Sequence, residues 1–300
     1  MPSIDVGGGV HIFVQEWGSS NEKPIVFIHG WPFSHRIFEY QMRALAEEGF
    51  RSVGIDLRGF GASDKPWEGN DYDTWTADVK SVLHNLSLQD VTLVGFSMGG
   101  AIATHFVNQH NGDKRVSRLV LLAAPVPASA PTPELRQAKE DAIKSILADQ
   151  AAFDEGFVKK AFHTPPSPQQ LQFLVNICTS ASLRGSVRGL EELRDRDLRA
   201  EMDAISIPTL ICHGVFDQTI PFSVTETQLQ AIRGSKLVRF ESSGHAMMYE
   251  ERDKLVRELT RFADPAAEVT FKCATCGATF QTEAELDEHV GTAHIELVKE

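Results

Sequence analysis

The chain has few cysteines, and it lacks any apolar run long enough to cross a membrane. It contains four cysteines in 300 residues, and Cys178 and Cys212 stand alone among apolar neighbours, which argues against a disulfide framework. No stretch approaches the roughly 20 apolar residues of a membrane span, and residues 1–17 lack the basic and apolar segments of a signal peptide. We therefore expect a cytoplasmic protein with reduced thiols and no membrane partner.

Basic residues are also scarce. Lysine and arginine together number 29 against 41 aspartates and glutamates, which gives a formal net charge of -12. Because contact with phosphate requires a basic surface, this balance argues against nucleic acid as a partner of the whole chain. The hydrophobic share of 42% and the charged share of 23% are typical of a globular protein with a substantial core.

Short apolar runs rich in β-branched residues recur along the chain, and helical patterns lie between them. These runs are residues 24–28, 51–55, 91–96, 118–123, 207–212 and 236–240. Runs that are apolar on both faces are typical of a parallel sheet covered by helices, so the pattern predicts the α/β class.

Residues of about 126–197 contain helical stretches broken by prolines and no strand-like run, which predicts a helical cap over the sheet. Its phenylalanines either line a pocket or hold the cap in place, and we favour packing: Phe153, Phe157, Phe162 and Phe173. Residues 263–267 read as a linker, because a proline ends the last helical pattern and the composition then changes. We predict two domains, residues 1–264 and 265–300.

A GxSxG pattern at residues 95–99 lies between a strand-like run and a helical pattern. This placement predicts a nucleophile elbow with Ser97 at its tip, where the flanking glycines let the backbones pass closely. The Met98 N–H begins the helix without an intrahelical acceptor, so it is a candidate donor to a developing oxyanion.

The sequence His29-Gly30-Trp31-Pro32 follows the first of these apolar runs, in the loop expected to supply a second oxyanion donor. Since proline has no N–H, the Trp31 N–H is the candidate. His29 precedes this loop and is expected to support it. Trp31, Phe33 and Phe96 are our candidates for substrate contact, although the sequence alone allows the first two to be packing residues.

A serine nucleophile requires a histidine base, and that histidine requires a carboxylate to fix its tautomer. Asp217 and His245 each follow a strand-like run, in the chain order Ser, Asp, His that this kind of site shows. The loop after the preceding strand, residues 121–128, has no carboxylate. We therefore predict Ser97, Asp217 and His245 as a catalytic triad, with His213 in a structural role.

Residues 1 to about 263 resemble the cofactor-free haloperoxidase, arylesterase and perhydrolase branch of the α/β hydrolases. The matching motifs are HGWP at 29–32, DLRGFGASDKPW at 56–67, YDTWTADV at 72–79, GFSMGG at 95–100 and HGVFDQTIP at 213–221. The chain departs from the pattern at Val215-Phe216, where an acidic pair is usual, and at Ala246, where glycine is common.

The resemblance implies an α/β-hydrolase fold and hydrolysis of small carboxylic esters or lactones without a catalytic cofactor. It also implies that hydrogen peroxide can replace water, which forms peracids that oxidise halides. Pro32 resembles the proline of members that are associated with peroxide use. A serine at the elbow argues against the related dehalogenases and epoxide hydrolases, which have an aspartate there.

The C-terminal segment contains Cys273 and Cys276, a spacer of twelve residues, and then His289 and His294. This spacing matches the C2H2 zinc-finger pattern and predicts a small ββα module that holds a structural Zn²⁺. Four protein ligands would leave no open position on the metal for ester chemistry.

Nucleic acid is not the expected partner of this finger. Its groove-facing positions carry no lysine or arginine, and residues 265–300 include seven acidic and two basic residues. We favour a protein contact or self-association, with a passive appendage as the alternative. For the whole chain, two other hypotheses remain open: a hydrolase-fold protein that binds a small ligand and turns it over slowly or not at all, and a finger carried by the hydrolase.

Overall fold

The computed structural model describes residues 3–126, 132–267, 271–273, 275–280 and 282–293. Backbone contacts divide the chain into two compact units, Met1–Arg252 and Asp253–Glu300, and each unit is described by itself. The division lies before the predicted linker, so the helix that precedes the linker groups with the second unit. The domain boundary between residues 264 and 265 stays a prediction.

Within the described residues, eight strands form the main sheet of the first unit. They are β1 (Ser3–Asp5), β2 (His11–Trp17), β3 (Lys23–Ile28), β4 (Phe50–Ile55), β5 (Val91–Phe96), β6 (Val116–Leu122), β7 (Thr209–Gly214) and β8 (Lys236–Phe240). Their order is β1-β2-β4-β3-β5-β6-β7-β8. The β1–β2 and β2–β4 pairs are antiparallel and the others parallel, which confirms the α/β class with a mostly parallel sheet.

The first two strands were not predicted from the sequence. β2 is less continuously buried than the central strands, because only Ile12, Phe13 and Val14 are buried along its length. β5, in contrast, is buried at every position, so its apolar run is continuous. A run covered on both faces is easier to recognise than one at the margin of a sheet.

Ten α-helices of the first unit are described. They are α1 (Glu39–Glu47), α2 (Tyr72–Asn85), α3 (Met98–Gln109), α4 (Pro133–Ala148), α5 (Gln150–Ala161), α6 (Pro168–Cys178), α7 (Leu183–Asp195), α8 (Arg199–Asp203), α9 (Val224–Ala231) and α10 (Met247–Glu250). None of the described helices is both long enough and apolar enough to span a bilayer.

Helices α4 to α7 follow one another between β6 and β7, and each begins at a side-chain cap. Thr132, Asp149, Ser167 and Ser182 accept hydrogen bonds from backbone N–H groups of the first turns of α4, α5, α6 and α7. Prolines occupy the first positions of α4 and α6, where the missing N–H costs nothing. Two of the prolines that interrupt the helical pattern in the sequence, Pro133 and Pro168, therefore start helices here.

The parallel strands end at one edge of the sheet, and this edge positions the site. Ile28 at the end of β3 pairs with Gly95 near the end of β5, and the end of β6 lies beside Cys212 of β7. Because the loops after parallel strands emerge together, residues that follow β3, β5, β7 and β8 converge there.

The second unit contains α11 (Arg252–Ala263), which begins at the last residue of the first, β9 (Phe271–Lys272), β10 (Thr279–Phe280) and α12 (Glu283–Ala293). β9 and β10 pair antiparallel, with Phe280 opposite Phe271. The turn between them closes through the Cys273 N–H, which donates to the Ala278 carbonyl at 2.7 Å. A hairpin followed by a helix thus occupies the segment where the finger is predicted.

Candidate active site

Ser97 lies in the turn between β5 and α3 with φ of 50° and ψ of -123°. A non-glycine residue with positive φ costs about 1–3 kcal/mol, so the surrounding structure must enforce it. The Ser97 N–H donates to the Leu122 carbonyl on β6 at 2.8 Å, and the Ser97 carbonyl accepts from the Gly100 N–H at 2.8 Å. Both sides of the strained residue are therefore fixed by backbone hydrogen bonds.

Glycines allow this turn to pack against β3. A Cβ atom at Gly95 would collide with the Gly99 carbonyl, and one at Gly99 would collide with the Ile28 carbonyl. A Cβ atom at Gly30 would lie 2.9 Å from the Cβ atom of Ser97. The loop after β3 thus approaches the serine more closely than any side chain would permit.

Asp217 and His245 form the shortest polar contact of the site. The Asp217 Oδ2 lies 2.6 Å from the His245 Nδ1, while its Oδ1 accepts from the N–H groups of Thr219 and Ile220 at 2.7 and 2.8 Å. Burial alone would raise the pKa of Asp217, but attraction to His245 and hydrogen bonds from His213 and His245 hold that pKa well below its usual range. The carboxylate is therefore ionised at neutral pH.

The other ring nitrogen of His245, Nε2, is buried and has no hydrogen-bond partner among the described residues. Its ring packs against Phe96, the neighbour of Ser97, with centroids 4.8 Å apart. The structure thus brings His245 beside the serine turn without joining the two by a hydrogen bond. Such bonds are often long without substrate and tighten in the reacting complex.

Two backbone N–H groups flank the serine. Trp31 follows Gly30 in the loop against Ser97, and its N–H makes no hydrogen bond within the described ranges. Met98 is the first residue of α3, where an N–H has no intrahelical acceptor. The Trp31 indole N–H donates to the Ser186 carbonyl on α7 at 2.9 Å, so this loop is bound to the helical segment above it.

Ser97 opens into a cavity of about 480 Å³. Trp31 lines it together with Phe153 and Phe157, whose rings meet the Trp31 ring edge-on at centroid distances of 6.1 and 5.3 Å. Of the three predicted substrate contacts, only Trp31 lines this cavity. Phe33 and Phe96 instead line a separate void of about 10 Å³ beside His245.

Comparison with known proteins decides the family. A family model described as alpha/beta hydrolase fold matches residues 23–165. The AB hydrolase superfamily protein YisY of Bacillus subtilis is 42% identical over 260 residues, which cover 85% of this chain and 96% of YisY. The chain belongs to the alpha/beta hydrolase family. The non-heme chloroperoxidase CPO-A1 of Kitasatospora aureofaciens is 32% identical, over 87% of this chain and 99% of its own length.

A solved structure gives the same result for this alpha/beta hydrolase. The esterase EaEST from Exiguobacterium antarcticum aligns with a TM-score of 0.82 at 36% identity, and the match covers 87% of this chain and 98% of EaEST. The α/β-hydrolase fold expected from the sequence motifs is therefore confirmed.

The two additional histidines near the site support loops. His29 is fully buried; its Nε2 accepts from the Leu57 N–H at 3.1 Å and its Nδ1 lies 2.9 Å from the Gly30 carbonyl. These contacts fix the neutral tautomer with the proton on Nδ1, and burial is the main reason that the pKa of His29 is lowered. The His213 Nε2 lies 2.9 Å from the Ile220 carbonyl, in the loop that carries Asp217.

Sequence reasoning missed the charged residues of the cavity wall. Lys139 on α4, Lys160 on α5 and Arg196 after α7 all line it. Arg196 donates to Asp73 at 2.6 Å. No motif marks these residues, because their neighbours in α4 and α5 are also charged and the helical pattern does not show which face meets the cavity.

A second cluster lies in the C-terminal unit. One ligand atom from each of Cys273, Cys276 and His289 falls within 4.8 Å of the others, and the Cys276 Sγ lies 3.2 Å from the His289 Nε2. His294, the fourth predicted ligand, lies outside the described residues. Three of the four predicted zinc ligands are thus brought together.

Proposed function

We propose that this alpha/beta hydrolase is a serine esterase that cleaves small carboxylic esters or lactones through an acyl-enzyme. The observation that carries the proposal is the oriented His245. Asp217 binds its Nδ1, and its unpartnered Nε2 is buried beside the turn of Ser97. A buried hydrogen-bond acceptor without a donor costs about 1–3 kcal/mol. The unpaired His245 Nε2 is therefore poised to accept the proton of the Ser97 hydroxyl.

The mechanism follows from these positions. The His245 Nε2 takes the Ser97 hydroxyl proton as the Ser97 oxygen attacks the ester carbonyl, and Asp217 stabilises the resulting imidazolium. The N–H groups of Trp31 and Met98 stabilise the oxyanion. Collapse of the tetrahedral intermediate releases the alcohol, which takes the proton from His245. Water then attacks the acyl-enzyme with His245 again as base, which gives the acid and free Ser97.

Peroxide use is the second part of the proposal. If hydrogen peroxide replaces water in the last step, the product is a peracid, which can oxidise a halide after release. The similarity to a non-heme chloroperoxidase favours this activity. None of these steps requires a metal or haem at Ser97.

The test uses a rapid chromogenic ester, 4-nitrophenyl acetate. We expect steady turnover preceded by a burst of 4-nitrophenolate that approaches one equivalent per active site, because the acyl-enzyme accumulates when its hydrolysis is slower than its formation. Added hydrogen peroxide should divert acetyl groups to peracetic acid. The absence of both burst and turnover would favour a protein that only binds a small ligand.

We also propose that Cys273, Cys276, His289 and His294 hold a structural Zn²⁺. Thiolates and imidazoles are ligands that zinc prefers, and three of these four residues present their ligand atoms to one another. The metal would supply folding free energy to a module too small for a core of its own, on the order of 10 kcal/mol or more. It would take no part in ester cleavage.

The purified full-length protein should contain one zinc ion per chain by elemental analysis. Cys273→Ser should reduce the content to near zero and leave turnover of 4-nitrophenyl acetate unchanged, because the proposed catalytic residues lie in the other unit. Cys178→Ala is the matched control, since this buried cysteine lies on α6, and it should retain the zinc. A wild-type protein that binds no zinc even when zinc is supplied would contradict the proposal.

The finger's partner stays a prediction. Its acidic sequence favours a protein contact or self-association over nucleic acid. The cytoplasmic location expected from the sequence is likewise a proposal.

A further inference from the structure

The cavity that contains Ser97 has a mainly apolar wall with charged groups in it. Trp31, Ala142, Phe157 and Leu193 are among its apolar lining residues, while its charged ones are Lys139, Lys160, Arg196 and Glu192. Three cations therefore face the space in which the proposed ester would bind, against one carboxylate.

Arg196 and Glu192 already have partners. Arg196 donates to Asp73 at 2.6 Å. Glu192 accepts from the Tyr72 N–H at 3.2 Å and lies 3.8 Å from Arg188. Neither residue needs a ligand to satisfy its charge.

Lys139 and Lys160, unlike their neighbouring lysines, have no oppositely charged partner among the described residues. Lys144, on the same helix as Lys139, pairs with Asp141, and Lys159, next to Lys160, pairs with Glu155. Across the part of the chain that the structure describes, neither Lys139 nor Lys160 forms an ion pair, and residues 127–131 contain no acidic side chain. Of the four lysines on α4 and α5, the two without a described carboxylate partner are thus the two that line the cavity.

The local electrostatics point in the same direction. Burial first, and then the like charge of Lys160, lowers the pKa of Lys139. Lys139 is half-buried and Lys160 is exposed. An anion that reaches both would stabilise the charged form of Lys139 against burial and against repulsion from Lys160. A lysine acts as a flexible point charge, so the pair suits a carboxylate without demanding a fixed geometry.

We propose that this cavity selects esters that carry a carboxylate remote from the ester bond, with Lys139 and Lys160 binding that carboxylate while the ester carbonyl lies at Ser97. The inference rests on the proposed esterase function and names its substrate class. Hydrolysis of such a substrate converts a monoanionic ester and water into a dicarboxylate or hydroxycarboxylate and its partner product, with release of one proton.

The kinetic test compares charged and uncharged esters. Monomethyl adipate carries the carboxylate on the acyl side and 4-acetoxybutanoate on the alcohol side; methyl heptanoate and pentyl acetate are their uncharged counterparts. We expect kcat/KM to be about tenfold or more higher for at least one anionic ester than for its counterpart, as one charge-assisted hydrogen bond provides.

Variants assign that preference to the two lysines. Lys139→Met and Lys160→Met should each lower kcat/KM for the anionic ester about tenfold, mainly through KM, and leave the uncharged ester within twofold. Lys144→Met and Lys159→Met are the matched controls on the same helices and should change neither. Equal use of charged and uncharged esters by the wild type, or equal losses in the control variants, would overturn the inference.

A binding measurement separates this inference from the esterase proposal. Calorimetric titration of Ser97→Ala with monomethyl adipate should show affinity that falls about tenfold when Lys139→Met is added. Anion-selective binding without any turnover in the wild type would contradict the esterase proposal and still support Lys139 and Lys160 as the carboxylate-binding residues of the cavity. Turnover of uncharged esters with no anion selectivity in either assay would support the esterase proposal and overturn this inference.

Discussion

Replacing Ser97 by alanine should lower kcat for 4-nitrophenyl acetate by about 10⁴-fold to 10⁶-fold and abolish the burst. The variant lacks the only oxygen that the proposed mechanism acylates, while the N–H groups of Trp31 and Met98 remain and retain a small residual rate. Turnover and burst amplitude should be measured by stopped-flow absorbance.

The folded state of this variant should be unaffected. Alanine keeps the Cβ atom, so the backbone strain at φ of 50° is the same, and the Ser97 hydroxyl makes no hydrogen bond within the described residues that would be lost. Ser81→Ala on α2 is a matched control that should leave the rate unchanged. If Ser97→Ala retained more than about a tenth of the wild-type kcat, where a loss of at least about 10⁴-fold is expected, the nucleophile would lie elsewhere.

Replacing Asp217 by asparagine should lower kcat about 10⁴-fold by reversing the tautomer of His245. The N–H groups of Thr219 and Ile220 hold one side-chain oxygen of residue 217. An asparagine would keep its oxygen on those donors and turn its NH₂ group toward the His245 Nδ1. That nitrogen would then accept a hydrogen bond and leave the proton on Nε2, where it prevents His245 from acting as a base.

The same variant should change the acid stability of the protein. Because the pKa of Asp217 is lowered in the folded state, its carboxylate stabilises the fold above its ordinary pKa of about 4, and this contribution is lost as the pH falls through the folded-state pKa. Asp217→Asn should therefore flatten the loss of thermal stability on acidification. Asp203→Asn, which removes an exposed carboxylate at the end of α8, is the control for both measurements. An Asp217→Asn enzyme with nearly normal kcat would show that His245 does not depend on this carboxylate.

The sequence predicted the turn around Ser97 and the Asp217–His245 contact because their causes are local. Gly95 and Gly99 permit the close backbone approach that the turn requires, and the strand ends place Asp217 and His245 at one sheet edge. The cavity wall was not predictable in this way. Trp31 lines the cavity because its indole binds Ser186, 155 positions later in the chain, and no local pattern encodes that pair.

The lysines of α4 and α5 show the same contrast between what local sequence determines and what tertiary packing determines. Four lysines on α4 and α5 look equivalent in sequence, yet Lys144 and Lys159 pair with acidic residues on their own helices while Lys139 and Lys160 line the cavity. Only the packing of the two helices over the sheet distinguishes them. Strand β2 was missed for a related reason, since its burial is confined to three residues.

In the proposed mechanism, the hydrogen bond from the Trp31 indole to the Ser186 carbonyl connects the loop that stabilises the oxyanion to the helix that lines the cavity. A Cβ atom at Gly189 would lie 2.7 Å from the Trp31 ring, so the helix that covers the cavity also sets where the neighbouring backbone donor stands. A helix transplanted from a relative to change specificity must keep a small residue at 189 and hold the backbone of residue 186 in its present position. Otherwise we expect the proposed reaction at Ser97 to slow along with the change in selectivity.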